Sequence, residues 1–332
     1  MPGGEERTLR RRIRSVQSTK KITHAMELIA ASRVIRAQQR AQAARPYAAH
    51  ITGVIEDLAA RGASVDHPLL KEAERVEAVA FVVITSDRGL AGAYNSSVIR
   101  AAERELMAAR TEGRDYRLVL IGRKARDYFT FRNYRIDHAY IGMSDRPTYE
   151  QAREVADAVA ALFTDGHVQR VVLCYTEFVS LGSQKVAVRN FLPLQSTATI
   201  AAAGEAEAMA AFEFEPSPEG VLSDLLPRYV EARLFSAMLE SSASEHASRQ
   251  RAMKAATDNA DDLMTRLTRR MNRARQDAIT TEIMEIIGGA EGLKEGEEGV
   301  DDRVFPEHLM AEHLFPMHLD PTDRPHAGPE HV

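Results

Sequence analysis

One stretch of this chain has the residue types to hold an anion: Ser86-Asp87-Arg88-Gly89-Leu90-Ala91-Gly92-Ala93-Tyr94-Asn95. It follows a valine-rich apolar run, Val76–Thr85, and leads into a helical pattern from Ser96 to Arg110, with Ser96 or Asn95 as its cap. In doubly wound folds this position gathers backbone amides around a phosphate. The turn lacks the full dinucleotide glycine pattern and the lysine of a P-loop, so a packing turn is the preferred reading. His308, His313 and His318 lie five apart near the C-terminus. That spacing does not align them on one helix face, and no cysteine accompanies them, which argues against a metal site. His24 and His246 have no paired acid or nucleophile at a telling spacing. The expectation is therefore no catalytic residue, no cofactor and no metal.

Charge is distributed unevenly. The net is −5, yet Arg7–Arg45 holds eleven basic residues against one acid, Glu27. Lys294–Val332 holds ten acids against three basics. Such polarisation suggests partners. The basic stretch interleaves with a regular apolar seam and carries no aromatic stacking residues. A solvated helix face and an acidic protein surface are the two readings that suit it, rather than nucleic acid. Cys174 is the only cysteine, so no internal disulfide can form. No segment approaches the roughly 20 apolar residues of a membrane span, and the N-terminus, charged from Glu5 onward, has no apolar stretch like that of a signal peptide.

Two long helical patterns position these residues. The first runs from about Glu5 to Ala60 and the second from about Arg228 to Ile287. At 1.5 Å per residue they extend roughly 80 and 90 Å, more than a compact domain accommodates, and such length points to a coiled coil. Steps of three and four trace a seam from Ile13 through Ala30, Val34, Ala37, Ile51 and Ile55 to Leu58, which Lys20, Thr23 and Glu27 break. A second seam runs from Tyr229 through Leu239, Ala243, His246, Met253, Thr257, Ala260 and Leu267 to Thr281. Pro46 should kink the first helix. Ser223 or Asp224 should cap the second with Pro227 in its first turn, and Gly288-Gly289 should end it.

Between them, strands at Val76–Thr85, Leu118–Ile121, Ile136–Ile141, Val171–Phe178 and Val186–Leu192 alternate with helices at Ser96–Arg110, Lys124–Phe129 and Thr148–Phe163. This is α/β plus coiled coil: an antiparallel coiled coil of N- and C-terminal long helices with an inserted doubly wound α/β domain that ends in a hairpin. The expected divisions are a first helix over 1–60, a body over 61–200, a linker over 201–220, a second helix over 221–293 and an acidic disordered tail over 294–332.

Several segments together resemble the gamma subunit of F-type ATP synthases. They are Arg14-Ser15-Val16-Gln17-Ser18-Thr19-Lys20-Lys21-Ile22-Thr23, Met26-Glu27-Leu28-Ile29-Ala30-Ala31-Ser32-Arg33, Arg45-Pro46-Tyr47, Ala243-Ser244-Glu245-His246-Ala247, Met253-Lys254-Ala255-Ala256-Thr257-Asp258-Asn259-Ala260 and Ala274-Arg275-Gln276 with Ala278-Ile279-Thr280. The resemblance spans about Leu9 to Leu293, with Ala91 where a cysteine is common. It implies a non-catalytic rotor whose paired helices turn inside three alpha and three beta subunits, with the body near the epsilon subunit and the membrane c-ring. It further implies proton-driven ATP synthesis, catalysis on the beta subunits, and a peripheral place on the cytoplasmic side of a bacterial cell membrane. By motif position, Arg249, Arg275, Gln276 and Thr280 would meet acidic beta loops, and Lys20 and Met26 would lie on shaft surface at the level of the beta subunits' lower lever. Neither nucleic acid nor a direct small-molecule ligand is implied. Val304–Leu319, past the usual family end, is expected either to brake rotation or to be passive. The rival readings are a free-standing coiled-coil scaffold and a nucleotide-binding regulator using Asp87–Asn95.

Overall fold

A computed structural model describes residues 3–60, 67–194 and 217–297. The expected linker, up to residue 216, and the tail from residue 298, with the three spaced histidines and the proposed brake, lie outside the described residues. Helix α1 spans Gly3–Ala60. The last helix, α5, spans Pro218–Glu297. Between them come strands β1 (Ala78–Ile84), β2 (Asp115–Ile121), β3 (His138–Tyr140), β4 (Arg170–Phe178) and β5 (Gln184–Leu192), with helices α2 (Tyr94–Thr111), α3 (Arg123–Phe131) and α4 (Tyr149–Thr164).

The strands form one sheet in the order β3-β2-β1-β4-β5. β1 runs parallel to β2 and β4, β2 runs parallel to β3, and only the β4–β5 pair is antiparallel. All seven residues of β1 are buried, as a central strand covered on both faces requires. Its side chains alternate between two cores. Val79, Phe81 and Val83 pack with Val98, Leu106, Leu118 and Phe129, on the side of α2 and α3. Ala80, Val82 and Ile84 pack with Val155 and Val159 of α4, Ile51, Ile55 and Leu58 of α1, and Leu226, Val230 and Leu234 of α5. The body is thus built onto the ends of both long helices.

The seams read from sequence are the covered faces. From Ile13 to Leu58, each residue of the first stepping is buried or half-buried. The second stepping is covered from Tyr229 to Ala278, and Thr281 is exposed. Lys20 Nζ meets Asp261 Oδ1 at 2.5 Å, and the Thr23 and Thr257 hydroxyls lie 2.8 Å apart. As the numbers rise on one helix they fall on the other, so the pair is antiparallel.

The helix ends differ from expectation. α5 begins ten residues before Arg228. Ser217 caps it, its Oγ accepting from Gly220 N at 3.1 Å and its carbonyl from Val221 N at 3.0 Å. Pro218 takes the first helical position, Pro227 lies inside, and neither Ser223 nor Asp224 is the cap. The helix runs through Gly288-Gly289 to Glu297. Asn95 and Ser96 do not cap α2, whose N-cap is Ala93 without a side-chain hydrogen bond.

Contacts group Thr8–Arg270 into one unit and the remaining residues at both termini into another. Of the second, residues 3–7 and 271–297 are described. Ile279, Ile283, Met284, Ile286 and Ile287 in it are exposed.

Candidate functional site

The tips of β1 and β2 set the geometry at the carboxyl end of the sheet. Thr85 N donates to the Ile121 carbonyl at 2.8 Å, and Thr85 Oγ1 accepts from Ala125 N at 3.0 Å. Gly122 makes this approach possible. Its φ is +98°, and an added Cβ would lie 2.2 Å from the Thr85 carbonyl oxygen.

The turn after β1 uses its donors internally. Ser86 N donates to Asn95 Oδ1 at 2.9 Å, and Asp87 N donates to Ser144 Oγ at 2.9 Å. The Asp87 carboxylate accepts from Ser144 N at 3.2 Å, Ser144 Oγ at 3.0 Å and Arg123 N at 3.0 Å. It sits at the N-terminus of α3, where free amides and the helix dipole favour an anion. Burial opposes its ionisation, but amides of Gly142, Ser144 and Arg123 with the Ser144 hydroxyl outweigh that and hold its pKa below the usual value. The protein supplies its own anion here, so the geometry favours the packing turn over a nucleotide site.

Next to this turn, three elements meet in an ionic cluster. Arg33 of α1 reaches both carboxylate oxygens of Asp145, at 2.8 and 3.0 Å. Asp145 lies in the loop between β3 and α4. Its carbonyl accepts from Ser242 Oγ at 3.0 Å and faces His246 Nε2 at 3.4 Å, both on α5. Glu245 pairs with Arg249 at 2.8 Å, and Arg249 Nη2 donates to the Gly89 carbonyl at 3.2 Å. His246 is 1 % exposed, and burial drives its pKa down to about 4 despite the pull of Asp145. Burial likewise raises the Glu245 pKa, against the opposing effect of Arg249.

Asp145, Glu245 and His246 have metal-ligating atoms within 4.8 Å of one another. Arg33 and Arg249 already compensate the two carboxylates, and a divalent cation would add two buried positive charges. The cluster is better suited to clipping the loop onto both long helices than to holding a metal.

The residues expected at a partner surface separate into two groups. Lys20 is half-buried against Asp261, and Met26 is half-buried on α1. Arg249 departs from its expected place at the surface: it is 7 % exposed and committed to Glu245 and Gly89. Arg275, Gln276 and Thr280 are exposed, and Thr280 Oγ1 donates back to the Gln276 carbonyl at 3.0 Å. Sequence reasoning missed Asp145 and Arg33 as a pair, because they are 112 residues apart. Nothing local marks such a contact.

A family model described as ATP synthase matches residues 5–293. The ATP synthase gamma chain of Frankia casuarinae is 52 % identical over 297 residues, covering 88 % of this chain and 99 % of that one. The chain belongs to the ATP synthase gamma chain family. The gamma chain of Acidothermus cellulolyticus is 48 % identical, with 88 % and 98 % covered. That of Mycolicibacterium smegmatis is 46 % identical, with 86 % and 97 % covered. Among solved structures, a chain of the Euglena gracilis mitochondrial ATP synthase OSCP/F1/c-ring assembly shares the fold, with a TM-score of 0.65 at 20 % identity, covering 91 % of this chain and 99 % of that one. A chain from the central stalk/c-ring of the Tetrahymena thermophila mitochondrial ATP synthase has a TM-score of 0.54 at 23 % identity, with 71 % and 99 % covered. The family match ends at Leu293, so the acidic tail lies beyond it. Among the described residues no helix is long and apolar enough to cross a membrane.

Proposed function

We propose that this gamma chain is the central rotor of a bacterial F-type ATP synthase. It couples proton-driven rotation of the c-ring to ATP synthesis on the beta subunits and carries no catalytic residue itself. The observation that carries this reading is the antiparallel α1–α5 pair, whose narrow seam of small residues joins a compact body at one end. Small seam residues let the two helix axes approach closely, which keeps the pair slender enough to turn inside a sleeve. The partners are three alpha and three beta subunits, the epsilon subunit and the c-ring. The chain would work on the cytoplasmic side of the cell membrane, attached peripherally through those partners.

Torque then needs a few stronger contacts. Arg275, Gln276 and Thr280 are exposed and available for hydrogen bonds to acidic beta loops. Lys20 and Met26 offer a second, partly covered contact region. Arg249 would act indirectly, by holding the turn at Gly89 against α5. The first test is co-purification in a complex of one copy with three alpha and three beta subunits. In that complex, Arg275→Ala with Gln276→Ala is expected to leave assembly intact and cut ATP-driven proton pumping at least tenfold. Unchanged pumping per ATP hydrolysed would remove these two residues from the coupling.

A further inference from the structure

We propose that a groove between α1, the loop after β3 and α5 binds an oligophosphate anion, a chemistry no part of the rotor reading assigns to this chain. The groove has a volume of about 600 Å³, with Arg33, Arg36, Arg40, Asp145, Arg146 and His246 in its lining. That size lies within the range of small-molecule sites. Four guanidiniums face one carboxylate. Asp145 is spent on Arg33, and His246 is neutral near pH 7, so the groove carries about three uncompensated positive charges. Among the described residues, Arg36, Arg40 and Arg146 have no carboxylate partner within ion-pair distance.

The arginines are held in place. Arg36 donates to Ser32 Oγ at 2.7 Å, and Arg40 Nε to the Arg36 carbonyl at 3.4 Å. Arg146 follows the residue that the ionic cluster clips to both long helices. Charge is concentrated at Arg40: burial, then Arg146 and Arg36, disfavour its protonated form, while Asp145 only partly offsets them. A bound anion offsets the repulsion among Arg40, Arg146 and Arg36.

Positions 33, 36 and 40 share one face of α1, and seven residues of helix rise roughly 10 Å. A chain of two or three phosphates reaches across such a row, and each guanidinium fork matches a pair of phosphate oxygens. Arg146 adds a donor from outside α1. A single carboxylate cannot use more than one or two of these groups, so a compact multiply charged anion fits the groove better than an acidic side chain.

The test is titration calorimetry of the full chain with tripolyphosphate, ATP, AMP and a heptaglutamate peptide. Saturable binding of tripolyphosphate or ATP is expected, with AMP at least tenfold weaker. ATP much tighter than tripolyphosphate would identify a nucleotide as the source, and the reverse an inorganic chain; both support the proposal. Arg40→Gln and Arg146→Gln, at half-buried and exposed positions, should each weaken binding tenfold or more with helix content unchanged. Arg146→Lys should lose less, and Arg126→Gln, outside the groove, should stay within twofold. Absence of saturable binding would overturn the proposal. So would equal losses in Arg126→Gln, or tighter binding of heptaglutamate, which would make the groove a protein contact.

Discussion

At the scale of single residues, the ionic cluster at His246 gives the molecule a defined response to acid. His246 is neutral in the fold because burial lowers its pKa to about 4 from 6.5. In the unfolded chain the same imidazole takes up a proton below about 6.5. Between these values the unfolded state binds more protons, so stability falls as pH drops from 6.5 towards 4. The contribution is at most about 3 kcal/mol, complete above pH 6.5. The charged groups facing the ring are Asp145 from the loop and Arg33 from α1, with Glu245 and Arg249 on its own helix. Glu245 works the other way: its pKa is raised, so its destabilising charge is relieved in acid. His246→Gln removes only the imidazole term. Urea midpoints of the full chain between pH 7 and 4 should fall more steeply in wild type than in this variant. Parallel profiles would show that the imidazole takes up its proton equally in the folded and the unfolded chain.

At the scale of elements, the junction of β2 with α3 has little tolerance. A methyl group at Gly122 would meet the Thr85 carbonyl at 2.2 Å, and the φ of +98° strains any side chain. Gly122→Ala is expected to cost more than about 2 kcal/mol, since strained backbone alone costs roughly 1–3 kcal/mol. Thermal unfolding would measure the loss, and an unchanged midpoint would mean that the strand tips can separate freely. This junction was not legible in the sequence, because Thr85 and Gly122 meet only once β1 and β2 pair. The elements themselves were legible. Valine-rich runs gave the buried strands, and steps of three and four gave both seams, because those patterns follow directly from which face is covered. Helix ends were less so. Pro227 mimicked a first-turn proline, yet the real start is Ser217-Pro218, ten residues earlier, with the same chemistry. Gly288-Gly289 resembled a terminus and proved to be helix interior. Arg249 matched a surface motif, but only the packing of the Gly89 turn decides that it is buried. The row Arg33, Arg36, Arg40 could be read from spacing alone, whereas Arg146 joins it only through the tertiary fold.

At the scale of the whole molecule, a rotor made of two helices must turn as one body. If α1 and α5 slid against each other, rotation imposed at the body would dissipate before reaching the nucleotide sites. The structure links them by the Lys20–Asp261 ion pair, the Thr23–Thr257 contact and the Arg33–Asp145–His246 cluster, at successive heights along the pair. All residues of these links lie within the larger unit. Freezing a link should therefore cost the motor nothing. Thr23 and Thr257 suit this test, since their hydroxyls lie 2.8 Å apart across the two helices and cysteine is close to threonine in size. Cys174 will not interfere, because it is buried and its thiol pKa is pushed up to about 12. In the assembled complex, Thr23→Cys with Thr257→Cys is expected to cross-link on oxidation while ATP hydrolysis and proton pumping stay within about twofold of the reduced form. A large loss on oxidation, reversed by reductant, would mean that the helices must shift past one another during each turn, and that torque passes through a flexible pair instead of a rigid one.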